Sequence, residues 1–168
     1  MRRIQSIQLL KNNEGIIYLV PYIINELGLN SELNTSIKMD SLTTVEEIGK
    51  KVKTSAIDSI KIDIIYTKDE VKVWQLISGI KNRKRFCSEW ERVFVYYNPN
   101  NEIVYGIPSG FEVSSDKFDG QDFLGTNYMP RYNLPLGVSD EELGKTILEA
   151  FSQIKDIVLR GSNYNFES

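Results

Sequence analysis

Four carboxylates, Glu112, Asp116, Asp119 and Asp122, are interleaved with Phe111, Phe118, Phe123 and Tyr128 in one stretch of the chain. Paired carboxylates can act as general acid and base or hold a hard cation. Their spacing is not the Asp-x-Asp-x-Asp-Gly rhythm of a calcium loop. The same residues suit a surface that meets a cationic protein, with the acids steering the encounter and the rings supplying contact area. An ordinary solvated loop over a core is the plain alternative. A second group is Lys81-Asn82-Arg83-Lys84-Arg85, with Phe86 and Trp90 just beyond. Its cations could clamp a phosphate backbone while a ring stacks on a base. Placed after a helix ending near Ile80, they would instead complement the negative end of that helix and stay hydrated. Tyr96, Tyr97 and Tyr105 form a third group, each with a large apolar body and a hydroxyl that suit either an interface or a half-buried strand.

The rest of the inventory excludes more than it offers. The 168 residues contain no histidine, which removes the usual general base at neutral pH and the commonest metal ligand. A single cysteine, Cys87, cannot form an internal disulfide or a thiolate cluster for zinc. It lies between Phe86 and Ser88, where a small buried hydrophobe is the simple reading. Gly-rich phosphate loops, Gly-x-Ser-x-Gly elbows and His-based metal motifs are all missing. The formal charge of -3 disfavours a general nucleic-acid binder and is compatible with a basic partner. No cofactor, metal or small-molecule ligand is expected, and no membrane contact. Without a signal-peptide core or a long apolar run, the expected compartment is the cytoplasm.

These residues must be positioned by elements legible from periodicity and caps. Ile4 to Leu10 and Ile16 to Val20, joined by Asn12-Asn13-Glu14-Gly15, read as a hairpin that Pro21 ends or places at an edge. Thr43-Thr44-Val45-Glu46-Glu47 opens a helix with Val45, Ile48 and Val52 on one face. Ile60, Ile62, Ile64 and Tyr66 alternate with polar residues as in a strand, and Thr67-Lys68-Asp69-Glu70 opens a helix striped by Val71, Trp74, Ile77 and Ile80. Arg92 to Tyr97 and Ile103 to Ile107, around Asn98-Pro99-Asn100-Asn101, make the strongest hairpin signal. Phe111 to Pro130 shows no sustained period and reads as a long ordered loop or short irregular strands. Ser139-Asp140-Glu141-Glu142 starts a last helix carrying Leu143, Ile147, Phe151, Ile154 and Val158, which Gly161 ends. Mixed strands and helices without regular alternation predict one α+β domain over residues 1–160. It has a mainly antiparallel sheet, three to four helices and a polar tail at 161–168. Glu46-Glu47-Ile48-Gly49-Lys50-Lys51-Val52 is echoed by Glu141-Glu142-Leu143-Gly144-Lys145-Thr146-Ile147. Both helices carry a glycine that costs about 1 kcal/mol against alanine, which points to close packing against another element.

From Val71 to Ile154 the chain resembles the immunity proteins of bacterial contact-dependent growth inhibition systems. The resemblance lies in the helix Val71-Lys72-Val73-Trp74-Gln75-Leu76-Ile77, the basic turn, the Val93-Phe94-Val95-Tyr96 and Ile103-Val104-Tyr105 segments and the Pro108 break. Its strongest part is Asn133-Leu134-Pro135-Leu136-Gly137-Val138-Ser139-Asp140-Glu141-Glu142-Leu143-Gly144. The resemblance implies a cytoplasmic α+β protein that is not an enzyme. Such a protein binds the toxic C-terminal domain of a cognate delivered effector, often a nuclease, and blocks it. It carries over no functional residues, because each such interface matches its own toxin. The contacts expected on the residues themselves are Glu112, Asp116, Asp119 and Asp122 as electrostatic partners, with Tyr97, Tyr105 and Phe123 as anchors. Two other readings are a carboxylate or metal-dependent enzyme using Glu112 and Asp122, and a nucleic-acid module built on Arg83, Lys84 and Arg85.

Overall fold

Asn12 turns the chain at the predicted N-terminal hairpin, its side-chain oxygen accepting from the amides of Glu14 and Ile16 at 3.0 Å each. The computed structural model describes residues 3–24, 30–32, 35–61, 72–124 and 130–157. Strand β1 (Gln5–Lys11) pairs antiparallel with β2 (Ile17–Ile24), Gln8 opposite Val20. Pro21 does not end β2. The outer side of β2 is shared by two short strands, β3 (Asn30–Glu32) beside residues 22–24 and β4 (Ile37–Met39) beside 17–19. Pro21 falls between them, where its missing N–H breaks no outer ladder bond.

The second expected hairpin is re-paired. Strand β5 (Glu91–Asn98) does not pair with residues 103–107, which hold only the Val104–Ile107 bridge. Its partner is β6 (Gly110–Phe118), with Val95 opposite Val113. Residues 111–118 of the stretch expected as a long ordered loop or short irregular strands therefore belong to one long strand. Its far side carries β7 (Phe123–Leu124) at residues 117–118 and β8 (Arg131–Leu134) at 111–114. Most of β6 is buried on both faces, as is β1, and a strand covered on both faces loses the polar-apolar alternation that would reveal it. The strands run in the order β3-β2-β1-β5-β6-β7, all pairs antiparallel, and with four α-helices this is the expected α+β fold.

Helix α1 (Val45–Ser59) opens at the predicted capping box, Thr44 accepting from Glu47 N while the Glu47 carboxylate accepts from Thr44 N. Two shorter helices, α2 (Val73–Ser78) and α3 (Arg83–Glu89), precede β5. Helix α4 (Asp140–Gln153) opens at Ser139, which accepts from Glu142 N. One face of the sheet presents Ile7, Leu9, Leu19, Val93, Val95 and Val113 to Ile48, Val52 and Ala56 of α1 and to Leu143, Ile147 and Phe151 of α4. The repeated glycines lie where these helices cross. A methyl on Gly49 would overlap the Asp140 carbonyl oxygen, and one on Gly144 would overlap that of Val45. Asp140 precedes Gly144 by one helical turn, as Val45 precedes Gly49, so the two echoed segments are the two halves of one near-symmetric crossing. Each helix offers a glycine to the other's first turn.

Several sequence expectations shift at the element ends. Helix α4 gives way to a 3₁₀ turn at Ile154–Asp156 and to an extended Ile157, short of Gly161. The N-cap of α2 is Lys72, whose side chain makes no capping hydrogen bond. Ile60 is the helical C-cap of α1, so no strand begins there. The remainder of that predicted strand, the Thr67–Glu70 box, Tyr128, Val158 and the 161–168 tail lie outside the described residues. Among the described residues no helix is long and apolar enough to cross a membrane.

Candidate functional site

Directly opposed residues of neighbouring antiparallel strands share a face, so the register lays out the face of the sheet turned away from α1 and α4. One row runs Tyr22, Ser6, Tyr96, Glu112, Asn133; the next runs Val20, Gln8, Phe94, Ser114, Arg131; the third runs Tyr18, Leu10, Arg92, Asp116. At one end, Leu10 and Val20 form a second apolar cluster with Val73 and Trp74 of α2, Phe86 and Cys87 of α3, and Phe123. Between and beyond these apolar residues the face is polar. Ser6, Gln8, Glu112, Ser114 and Asp116 are all buried, and the Ser6 hydroxyl has no protein hydrogen-bond partner.

The four carboxylates do not form one acidic surface. Glu112 is 5% exposed and pairs with Arg131 at 3.4 Å; Asp116 is 4% exposed and accepts from the Arg92 guanidinium at 2.6 Å. Burial pushes the Asp116 carboxyl above its ordinary value, with Arg92 and then Arg131 pulling it back. Arg92 itself lies over the rings of Phe94 and Phe123, at 4.8 and 4.7 Å. Tyr96 is raised chiefly by burial and then by the nearby Asp116 charge. Both carboxylates are themselves buried and engaged by an arginine, and this holds them away from an incoming partner.

Asp119 and Asp122 sit on the turn that joins β6 to β7. Asp119 accepts from the amides of Gln121 and Asp122 at 2.8 and 2.9 Å, and these amides hold it below the ordinary carboxylate value. Asp122 is the hinge of a second ionic group. The Nε and Nη2 of Arg83 donate to it, the closest contact 3.0 Å, the Cys87 thiol lies 3.4 Å away and Phe123 N donates at 2.6 Å. Burial opposes the Asp122 charge but is outweighed by Arg83 and the Phe123 amide, so its carboxyl stays low. The Arg83 guanidinium also covers Trp74, Phe86 and Phe123 at 5.2, 5.6 and 5.5 Å.

The basic run is thus placed differently from the expected helix end. Asn82 caps α3, accepting from Arg85 N at 2.9 Å, and Arg83, Lys84 and Arg85 occupy its first turn. Cations are unfavourable beside the positive end of a helix. Two of them are compensated locally, Arg83 by Asp122 and Arg85 by Glu89 at 3.1 Å. Cys87 is buried as expected, and burial above all lifts its thiol to about 11. Because the thiolate is the reactive form, Cys87 is expected to resist a thiol reagent such as DTNB at pH 8 in the folded protein. It should react stoichiometrically in denaturant; rapid labelling of the native chain would show that the α3 layer opens readily.

The three predicted aromatic anchors also separate. Tyr97 lies on the opposite face, stacked on Phe111 at 5.1 Å beside the main core. Phe123 is buried in the second cluster, edge-on to Phe86 at 6.0 Å. Tyr105 alone is exposed, at 66%. Sequence reading missed its neighbour Ile103, the two arginines that engage Glu112 and Asp116, and the polar rows. The available signal was the interleaving of Glu112, Ser114 and Asp116 with Phe111 and Val113, a two-residue period hidden by the buried polar side. Among the described residues no group of three or more Cys, Asp or Glu side chains gathers where a cation could be held.

No family model and no curated protein matches the chain. Solved structures do. The chain superposes on a chain of the CdiA-CT/CdiI toxin and immunity complex from Yersinia pseudotuberculosis with a TM-score of 0.58 at 13% identity, covering 90% of this chain and 97% of that one. It also superposes on the protein of unknown function NMB0488 from Neisseria meningitidis with a TM-score of 0.55 at 13% identity, covering 91% and 96%. At such identity the likeness establishes a shared fold over nearly the whole of each chain.

Proposed function

We propose that this protein is an immunity protein that binds and neutralises the toxic C-terminal domain of a cognate contact-dependent growth inhibition effector. The observation that carries the reading is the near end-to-end likeness of its fold to a chain from a toxin and immunity complex. The Asn133 to Gly144 segment that resembles the immunity family supports it. This segment supplies the end of β8, the turn into α4 and the Gly144 crossing. The protein acts by stoichiometric binding and not by turnover. Its buried carboxylates are engaged by arginines and its thiol is held protonated. The partner is a protein, and a toxic nuclease domain fits best, since a phosphate-binding active site is basic and this chain carries a net charge of -3. Co-expression with the toxic domain encoded immediately upstream of its gene tests this. Growth restored by this chain supports immunity, and growth arrest despite ample folded protein contradicts it.

A further inference from the structure

We infer that Ile103 and Tyr105, side by side at the tip of the β5–β6 connection, are the apolar anchor that seats in a pocket of the toxic domain. The inference rests on the immunity reading and names the part of the surface that makes contact.

The tip is built, not loose. Val104 N donates to Ile107 O at 3.1 Å and Ile107 N to Val104 O at 2.9 Å, closing a turn with Tyr105 and Gly106 at its apex. Behind it Asn98, fully buried, donates from Nδ2 to Glu102 O at 2.9 Å and to Ile107 O at 2.8 Å, while its Oδ1 accepts from Asn100 N at 2.9 Å. Val104 points inward, 7% exposed, and Ile103 and Tyr105 on either side of it point out, at 69% and 66%. They are the closest in sequence of the exposed large apolar side chains among the described residues.

Folding alone does not explain the tyrosine. Tyr105 has φ 51 and Gly106 φ 77, the left-handed pair of a type I′ turn in which Asn-Gly is the favoured sequence and a bulky first residue is strained. Among the described residues its side chain meets no hydrogen-bond, ion-pair or ring partner. A strained and largely exposed aromatic without such contacts is explained by a contact outside the chain. The chemistry of that contact is narrow. Two side chains about two-thirds exposed do not enclose a small molecule. Between Pro99 and Ser109 the connection itself carries one acid, Glu102, and no basic residue, with Arg3 beside Asn100 at its base, so its own residues offer apolar surface and not the cluster of cations that holds phosphate or a lipid headgroup. An exposed tyrosine and isoleucine on a preorganised turn suit an apolar pocket in a protein, because no loop must be ordered on binding.

The test compares wild type, Tyr105→Asn and Ile103→Ser by calorimetric titration against the upstream-encoded toxic domain, with melting temperatures of all three. Asn is the better turn residue, so Tyr105→Asn is expected to melt at or above the wild-type temperature. It should nevertheless bind about thirtyfold or more weakly, the loss typical of a central aromatic anchor. Ile103→Ser is expected to lose roughly tenfold. Wild-type affinity in both variants would overturn the anchor while leaving immunity intact. Absence of binding by wild type would overturn immunity and the anchor with it. Sedimentation of wild type, but not of Tyr105→Asn, with phosphatidylglycerol vesicles would assign the tip to a membrane and overturn the inference.

Discussion

Gly144→Ala is expected to destabilise the protein by about 2–3 kcal/mol, the result of overpacking against rigid backbone. Alanine is the better helix former, and on an exposed helix the change would gain about 1 kcal/mol. Here the new methyl meets the Val45 carbonyl oxygen within α1, and neither helix backbone can yield as a flexible side chain would. The helices must separate, and the cluster of Ile48, Val52, Leu143 and Ile147 beneath them loses contacts. Gly49→Ala should behave alike through Asp140, and the double variant should lose less than the sum, because one separation admits both methyls. Gly137→Ala is the control. Its backbone is not left-handed and nothing lies within 4 Å of a methyl placed there, so it should be neutral or slightly stabilising. For a chain of this size the crossing variants should melt about 8 °C lower. Wild-type melting temperatures for both would show that the crossing is not tight.

Arg92→Met is expected to cost still more, about 3–5 kcal/mol at pH 7, because it leaves the Asp116 carboxylate buried without its counter-charge. Methionine keeps much of the apolar stem that covers Phe94 and Phe123, so the loss reports the charge more than the packing. The pH dependence fixes the interpretation. Burial already raises the folded-state value of Asp116, and without Arg92 it rises further. A folded-state value above the unfolded one means that protonation favours the fold. The deficit should therefore be full above the folded-state value and shrink as pH falls through it. Urea unfolding at pH 7 and pH 5 should show the variant recovering relative to wild type. Adding Asp116→Leu should restore much of the loss, since an apolar pair can replace a buried ion pair. A deficit independent of pH would mean that the lost packing of Arg92, and not the charge of Asp116, dominates.

The parts of this fold that were legible in the sequence are those fixed by local chemistry. Thr44 and Ser139 announce their helices because a cap is a contact between residues three apart. The pairing of the central strands was not legible. Asn98-Pro99-Asn100-Asn101 is good turn chemistry, but Asn98 is the buried bracket of a longer connection, and the true partner of β5 lies beyond it. Strand β6 escaped notice because ionic partners far along the chain, Arg92 and Arg131, allow Glu112 and Asp116 to be buried. Read singly, an acid argues for a surface. The same long-range pairing dispersed the predicted acidic contact surface among the second face of the sheet and the β6–β7 turn, and placed Tyr97 and Phe123 against the two cores. Tyr105 remained exposed, and its left-handed backbone is a property no composition reveals.

The most direct measurement of the central claim is the dissociation constant and stoichiometry between this chain and the toxic C-terminal domain encoded immediately upstream of its gene. Immunity predicts a one-to-one complex of nanomolar or tighter affinity, about -12 kcal/mol or beyond, formed by the two purified proteins alone. Two folded proteins that show no heat of binding and no shared elution at micromolar concentration would contradict it.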